Sequence, residues 1–376
     1  MYISSLHLQN FRNYEETQVH FSESSNLILG DNGQGKTNLL EAIFVLCTSK
    51  SFRHISDRKL ARWGTDEYRI SGDFQRDSDA SVALALEYRD RKKTLTVNGN
   101  LEERISSIIG QVYSVLLSFE DIALVTGPPF ERRAFMDLIL STSDRLYFSY
   151  LKTYIKVVKQ KNRYLSDAAR VDAALLAAWN DQIVHTGSYI LGKRMELVEF
   201  LNRFILEHEE VLKQFSAPLR LEYRPTVKDL SVRSTDEEVR ERFDEQLISH
   251  MDAELKMGHA LYGPHRDDFS FSENKSEIRY FGSVGEARLA SIMLKMAQAS
   301  FYRTVRDVRP IILVDDILLE LDNSNRERVL SLFGIDHQIL ITTTEGTRLT
   351  EFFSPDRVFH ISNKGKIVWK GMKTPR

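Results

Sequence analysis

The chain has 376 residues, of which 42% are hydrophobic and 28% charged, with a formal net charge of −2. That balance belongs to an ordinary folded protein with a sizeable core, and it excludes a globally basic nucleic-acid binder while leaving local basic patches open. The single cysteine, Cys47, excludes an intrachain disulfide, and no apolar run approaches the roughly 20 residues that a membrane helix needs.

The start, MYISSLHLQNFRNY, lacks the basic and then apolar pattern of a signal peptide, so the expectation is a cytoplasmic protein away from membranes. Apolar and polar residues alternate over Tyr2–Phe11, which predicts a strand. Val19–Phe21 and the apolar Asn26–Leu29 predict two more, and a helix is expected over Asn38–Cys47. Between Tyr68 and Val97 the pieces YRISGDF, SVALALEYR and KTLTVNG read as an antiparallel subsheet, with a tight turn over residues 97–100. The character changes at Gly127-Pro128-Pro129. From there to Met257 apolar residues such as Ile183, Ile190, Leu197 and Leu201 recur at helical spacing, interrupted by one strand-like segment, Leu219–Arg224. Strand signals return after Gly258, in Pro310–Val314, Gln338–Thr342 and Arg357–Ile361, with a hairpin expected at residues 363–365. The predicted organisation is an α/β domain split into residues 1–127 and 259–376, around a mostly helical insertion over 128–258.

Between the strand ending at Leu29 and the helix that follows stands GDNGQGKT, residues Gly30, Asp31, Asn32, Gly33, Gln34, Gly35, Lys36 and Thr37. Its G-x-x-x-x-G-K-T spacing is that of a phosphate loop. Glycines let backbone N–H groups ring the phosphates, and the helix N-terminus adds a positive dipole. Lys36 is expected on the β- and γ-phosphates of ATP and the Thr37 hydroxyl on Mg²⁺. Asp315 closes the apolar run Ile311–Val314, which places a carboxylate at the end of a buried strand, where it can hold the Mg²⁺ water shell. Asp316 follows and is the candidate base that orients or deprotonates the attacking water. Upstream, Phe281-Gly282-Ser283-Val284-Gly285-Glu286 precedes a helical run; Ser283 and Gly285 at a helix N-terminus suit a γ-phosphate.

This order of phosphate loop, long insertion, Ser-x-Gly, Asp-Asp and Glu320-Leu321-Asp322 resembles ATPases of the ABC and SMC class, in which the Ser-x-Gly element serves the ATP of the opposite subunit. More narrowly, the chain resembles the bacterial RecF family of DNA replication and repair ATPases. The segments that carry the resemblance are Asn10-Phe11-Arg12-Asn13-Tyr14, GDNGQGKTNLLEAI, Lys50-Ser51-Phe52-Arg53, Gly127-Pro128-Pro129 with Arg132, Arg133 and Asp137, Gly263-Pro264-His265-Arg266-Asp267-Asp268, and the acidic residues from Asp315 to Asp322. The resemblance implies an SMC-like ATPase head with a compact helical arm and an ATP-driven homodimer. It also implies binding of single-stranded or gapped DNA, partners of the RecR and RecO type, and support of the SOS response. Two positions depart from the family pattern: Glu286 stands where Gln follows Ser-x-Gly, and Phe119 replaces a proline in the segment at the Q-loop position, which has no Gln and where Glu120 is a candidate surrogate for contacting the Mg²⁺ water. The base Asp316 is one methylene shorter than the usual Glu, which predicts slow hydrolysis.

Two basic regions are candidates for DNA. One is Arg53, His54, Arg58, Lys59 and Arg62; Arg53, like Arg12, is alternatively a nucleotide contact. The other is Lys152, Lys156, Lys159, Lys161 and Arg163 with Tyr147, Tyr150, Tyr154 and Tyr164, read in the first place as a solvated face whose tyrosines pack inward. His265 and Arg266 read as a structural link. The rival functions are a transporter ATPase subunit, which calls for a smaller insertion and a His after the last strand, and a small-molecule kinase, which lacks the late Asp-Asp strand.

Overall fold

In the computed structural model, residues 1–77, 80–167, 172–333, 337–344, 346, 350, 354–362 and 366–370 are described. The alternating N-terminal segment is strand β1 (Tyr2–Phe11), with Ile3, Leu6, Leu8 and Phe11 buried. A register shift between Ile3 and Ser5 accounts for the break in alternation there. β2 (Tyr14–His20) pairs with β1 antiparallel and is longer than Val19–Phe21 alone suggests. β3 (Ser25–Leu29) leads through the glycine loop into α1 (Lys36–Thr48), followed by β4 (Tyr68–Gln75), β5 (Ser81–Arg89), β6 (Lys92–Val97) and β7 (Asn100–Leu101). These make a six-stranded antiparallel sheet in the order β2-β1-β4-β5-β6-β7. β8 (Ser114–Leu117) comes next, four buried residues that sequence alternation does not reveal.

The central part contains α2 (Ala123–Thr126), α3 (Pro129–Ser143), α4 (Arg145–Asp167), α5 (Ala173–Glu207), β9 (Arg220–Arg224), α6 (Asp236–Ser249), α7 (Met251–Met257), β10 (Asp268–Glu273), β11 (Ser276–Glu277) and α8 (Ile278–Phe281). The chain then runs through α9 (Val284–Arg306) into β12 (Ile311–Asp315), α10 (Asn323–Leu332), β13 (Ile339–Thr343), β14 (Arg357–Ser362) and β15 (Lys366–Lys370). The turn expected at 363–365 lies outside the described residues; the flanking β14 and β15 pair antiparallel.

A second six-stranded sheet has the order β15-β14-β3-β13-β12-β8. Its strands β14, β3, β13, β12 and β8 run parallel, and β3, β13 and β12 are apolar nearly throughout, as strands covered on both faces must be. β13 lies between β3 and β12, so the phosphate loop and the Asp315 strand end at the same edge of the sheet, the carboxyl ends where ligands bind in open α/β sheets.

Contacts divide the chain into two compact units, residues 1–121 with 298–376, and residues 122–297. The division falls at 121/122 and 297/298 rather than at 127/128 and 258/259. The reason is a three-stranded sheet, β11-β10-β9, in which β10 pairs antiparallel with β9 and draws residues after 259 into the helical unit.

Candidate nucleotide-binding site

Gly35 caps α1 at φ 114°, and a Cβ there would lie 2.4 Å from the Asn13 side chain, so the loop needs glycine at this point. Two residues after β1 hold the loop from outside: Asn13 Nδ2 donates to the Gln34 carbonyl at 2.8 Å and the Tyr14 hydroxyl to the Gly35 carbonyl at 2.9 Å. Asp31, Asn32 and Gly33 are exposed, and no side chain caps the N-terminus of α1, which leaves its first N–H groups available to an anion. Lys36 Nζ is buried inside the loop, where it donates to the carbonyls of Gly30 at 2.9 Å and Asp31 at 3.3 Å.

Across the sheet edge, Thr37 Oγ1 donates to Asp315 Oδ1 at 2.9 Å, and Thr342 Oγ1 on β13 donates to the same oxygen at 2.8 Å. Burial raises the Asp315 carboxyl above its ordinary value, the two hydroxyls oppose the rise, and neighbouring Asp316 adds to it. Asp316 sits in the left-handed region at φ 52°, with its N–H donating to Thr342 Oγ1 at 3.1 Å. Its Oδ2 lies 3.6 Å from Lys36 Nζ, and its Oδ1 is buried with no hydrogen-bond partner among the described residues.

The groups fit a Mg²⁺-bound triphosphate. Among the described residues, the amine in the loop is met by backbone carbonyls and a nearby carboxylate. Hydroxyl and carboxylate oxygens are the donors Mg²⁺ takes, and one buried carboxylate oxygen lacks a partner among the described residues. Among the described residues no cluster of three or more His, Cys, Asp or Glu forms a closed metal cage.

Arg12 and Arg53 converge on Glu41 of α1, which is fully buried. Arg12 makes a bidentate pair with it, Nε to Oε2 at 2.7 Å and Nη2 to Oε1 at 2.9 Å, while Nη1 reaches the Lys59 carbonyl at 3.1 Å. Ser51 Oγ donates to Oε1 at 2.5 Å. Arg53 lies 3.8 Å from Glu41 and donates to Asn38 Oδ1 at 3.1 Å. The Glu41 anchor was missed in the sequence, although a charge inside the apolar run LLEAIFVLC signals a buried partner. Glu120 is exposed in the 3₁₀ turn after β8, the strand next to β12, at the edge that carries Asp315.

Ser283 and Glu286 form a reciprocal cap at the start of α9. Glu286 N–H donates to Ser283 Oγ at 3.2 Å, and Ser283 N–H donates to Glu286 Oε2 at 2.6 Å. The Glu286 carboxylate therefore turns back onto its own helix end, where negative charge is favoured. A Cβ on Gly285 would meet nothing nearer than Ser283 Oγ at 3.9 Å, so the fold of this chain does not itself require glycine there.

On α4, Tyr147 and Tyr154 are buried, Tyr150 packs on Tyr189 and Tyr164 on Trp179, so the tyrosines turn inward. Lys152, Lys156, Lys159 and Arg163 are exposed on one face, and Lys161 is buried against Glu254 and Asn180. His265 Nδ1 accepts from the Tyr154 hydroxyl at 2.6 Å, and burial lowers its pKa from 6.5 to about 4. Arg266 donates to the Ala260 carbonyl at 3.3 Å. Fully buried Arg194 ties Asp137 at 2.8 Å to the Pro264 carbonyl at 2.6 Å, and Arg132 makes a bidentate pair with Asp268 at 2.6 and 2.8 Å. The distinctive residues from Arg132 to Asp137 and from Gly263 to Asp268 thus knit the second unit together.

A parallel sheet, a glycine loop opening a helix, and a carboxylate strand two places away define a P-loop nucleoside triphosphatase. The family model described as the RecF/RecN/SMC N terminal domain matches residues 2–367. A Leptospira interrogans protein named DNA replication and repair protein RecF is 35% identical over 348 residues, 92% of each chain. Its namesake from Halothermothrix orenii is 33% identical over 368 residues, 96% of this chain and 98% of the relative. The solved structure of the recombination mediator protein RecF with ATP, described in the RecFOR pathway, superposes with a TM-score of 0.88 at 27% identity over 98% of both chains. An Smc head, solved with the C-winged helix domain of ScpA, shares the fold at a TM-score of 0.56 and 18% identity, over 99% of this chain and 98% of that one. The chain belongs to the RecF family, and its architecture is an ABC/SMC-type P-loop ATPase head with an inserted, mostly helical arm.

Proposed function

We propose that this protein is an ATP-dependent DNA-binding switch of replication and recombinational gap repair, a cytoplasmic, weak DNA-dependent ATPase that dimerises with ATP. The observation that supports it best is the joining of Thr37, Asp315, Asp316 and Lys36 at one sheet edge, in a chain alike over almost its whole length to proteins named for DNA replication and repair. The names and titles of these relatives favour this reading over a transporter subunit or a metabolite kinase.

In the proposed mechanism Gly30–Thr37 cradle the phosphates with backbone N–H groups, and Lys36 exchanges its carbonyl partners for phosphate oxygens. Thr37 Oγ1 and Asp315 would hold Mg²⁺, with exposed Glu120 as a further contact to its water shell. Mg²⁺ bound there would supply neutralisation of phosphate charge. Asp316 Oδ1, buried and without a partner among the described residues, is placed to take a proton from water, and its short side chain makes it a slow base. Asn13, Tyr14, Arg12 and Arg53 position the loop and α1 rather than reach for phosphate. Ser283 and Gly285 are proposed to complete the γ-phosphate site of a second copy; the open space at Gly285 supports this, because it leaves room for a group from outside the chain. Single-stranded or gapped DNA and mediators of the RecR and RecO type are the proposed partners, and SOS induction the proposed setting.

The test is ATP hydrolysis with and without gapped DNA, alongside anisotropy of the labelled DNA with and without ATP. The reading predicts slow turnover that rises with DNA, and DNA binding that requires ATP. It fails if DNA neither binds with ATP nor changes hydrolysis.

A further inference from the structure

The indole of Trp63 is 98% exposed, although tryptophan is ordinarily among the more buried side chains. Its backbone is fixed on both sides. Ala61 bridges to Phe11, Arg12 N–H donates to the Leu60 carbonyl at 2.8 Å and Arg62 N–H to the Asn10 carbonyl at 2.7 Å. Beyond the tip, Thr65 N–H closes a turn onto the Arg62 carbonyl at 2.9 Å, with Gly64 at φ 89°, a value that favours glycine at that corner. The indole therefore stands on a rigid tip, so ordering it on a ligand costs little conformational entropy.

The surroundings are charged. Arg58 pairs with Asp66 at 3.3 Å and Arg62 with Glu15 at 2.9 Å. Arg89 pairs with Glu67 at 2.7 Å and Lys93 contacts Asp57, which brings the β5–β6 turn alongside the loop. The acids Glu15, Asp57, Asp66 and Glu67 are thus each met by a cation. Lys59, Arg91 and Lys92 are left in excess over Asp90. No other large apolar side chain between residues 53 and 67 is exposed. A protein-docking hot spot sits in an apolar patch rimmed by contacts that exclude water. A lone aromatic face among surplus cations is instead the platform on which an unpaired base stacks while lysine and arginine take the flanking phosphates.

We infer that Trp63 stacks on an unpaired base of bound DNA, and that the tip it occupies reads the single-stranded side of a gap or junction. The inference rests on the DNA-binding function proposed above. It adds a residue and a discrimination, because a base paired inside an intact duplex offers no free face.

The experiment uses the full chain with Mg²⁺ and a non-hydrolysable ATP analogue. Tryptophan emission and DNA anisotropy are recorded together, for an oligo-dT strand, a gapped duplex and a duplex with blunt ends. Oligo-dT should quench the wild type, and Trp63→Phe, which keeps Trp179 and Trp369, should lose most of the quench. Trp63→Ala should weaken binding of oligo-dT and gapped duplex roughly tenfold, leave the blunt duplex unchanged, and keep the basal ATPase rate. If DNA binds without a change in Trp63 emission and Trp63→Ala binds every DNA as the wild type does, the tip belongs to some other contact and the inference is overturned. If the wild type binds no DNA at all, the proposed function falls, and this inference with it.

Discussion

Glu41 shows how the nucleotide loop is braced. It has no exposed surface and lies in the middle of the helix that the phosphate loop opens. A carboxylate there is tolerable only because Arg12 meets it with two hydrogen bonds and Ser51 with a third. Arg12→Ala strands that charge and should cost about 3 kcal/mol of stability in denaturant unfolding. Arg53→Ala should cost clearly less, since Arg53 stands 3.8 Å away and is about a third exposed. His265 gives a pH prediction. Its folded pKa, about 4, lies below the ordinary 6.5, so the folded state favours the neutral ring. That contribution to stability is whole above about 6.5 and is lost as pH falls through 6.5 to about 4, because the unfolded chain binds the proton first. Urea unfolding of the wild type against His265→Gln across this window should show a steeper loss in the wild type; parallel curves would mean that the ring does not resist its proton.

At the level of elements, the cap of α9 decides what Glu286 does. It bonds to Ser283 N–H as a capping box requires, a place that Gln fills as well. Glu286→Ala should therefore destabilise α9 by about 1 kcal/mol, and Glu286→Gln should leave thermal stability within a few tenths. Equal losses in the two variants would contradict the cap. Elements of this kind were legible in the sequence where one local pattern specifies them. The β3–loop–α1 unit rests on glycine spacing, β12 on four apolar residues closed by a carboxylate, and α4 on cations at helical intervals. β8 was not legible, because SVLL is buried throughout and carries no alternation. Nor was the β9–β10 pairing, whose partners stand more than forty residues apart and which moves the unit boundary from 258/259 to 297/298. The site was half legible for the same reason. Lys36, Thr37, Asp315 and Asp316 announce themselves by spacing. Thr342 becomes part of the site only because β13 runs between β3 and β12.

For the whole molecule, the proposed function requires the phosphate loop to be half of a composite site. A slow base and a γ-phosphate contact borrowed from a second copy would then make a switch whose signal is assembly, with hydrolysis ending it. Ser283→Arg should leave binding of a fluorescent ATP analogue unchanged and prevent dimerisation. Lys36→Arg should weaken retention of the nucleotide and so suppress dimers at the same ATP concentration. Sedimentation velocity of the wild type, Lys36→Arg and Ser283→Arg, each with and without ATP and Mg²⁺ and with gapped DNA present, tests the central claim most directly. The predicted result is a dimer that appears only in the wild type and only with ATP; a monomer under every condition, or a dimer indifferent to nucleotide and to Ser283→Arg, would contradict it.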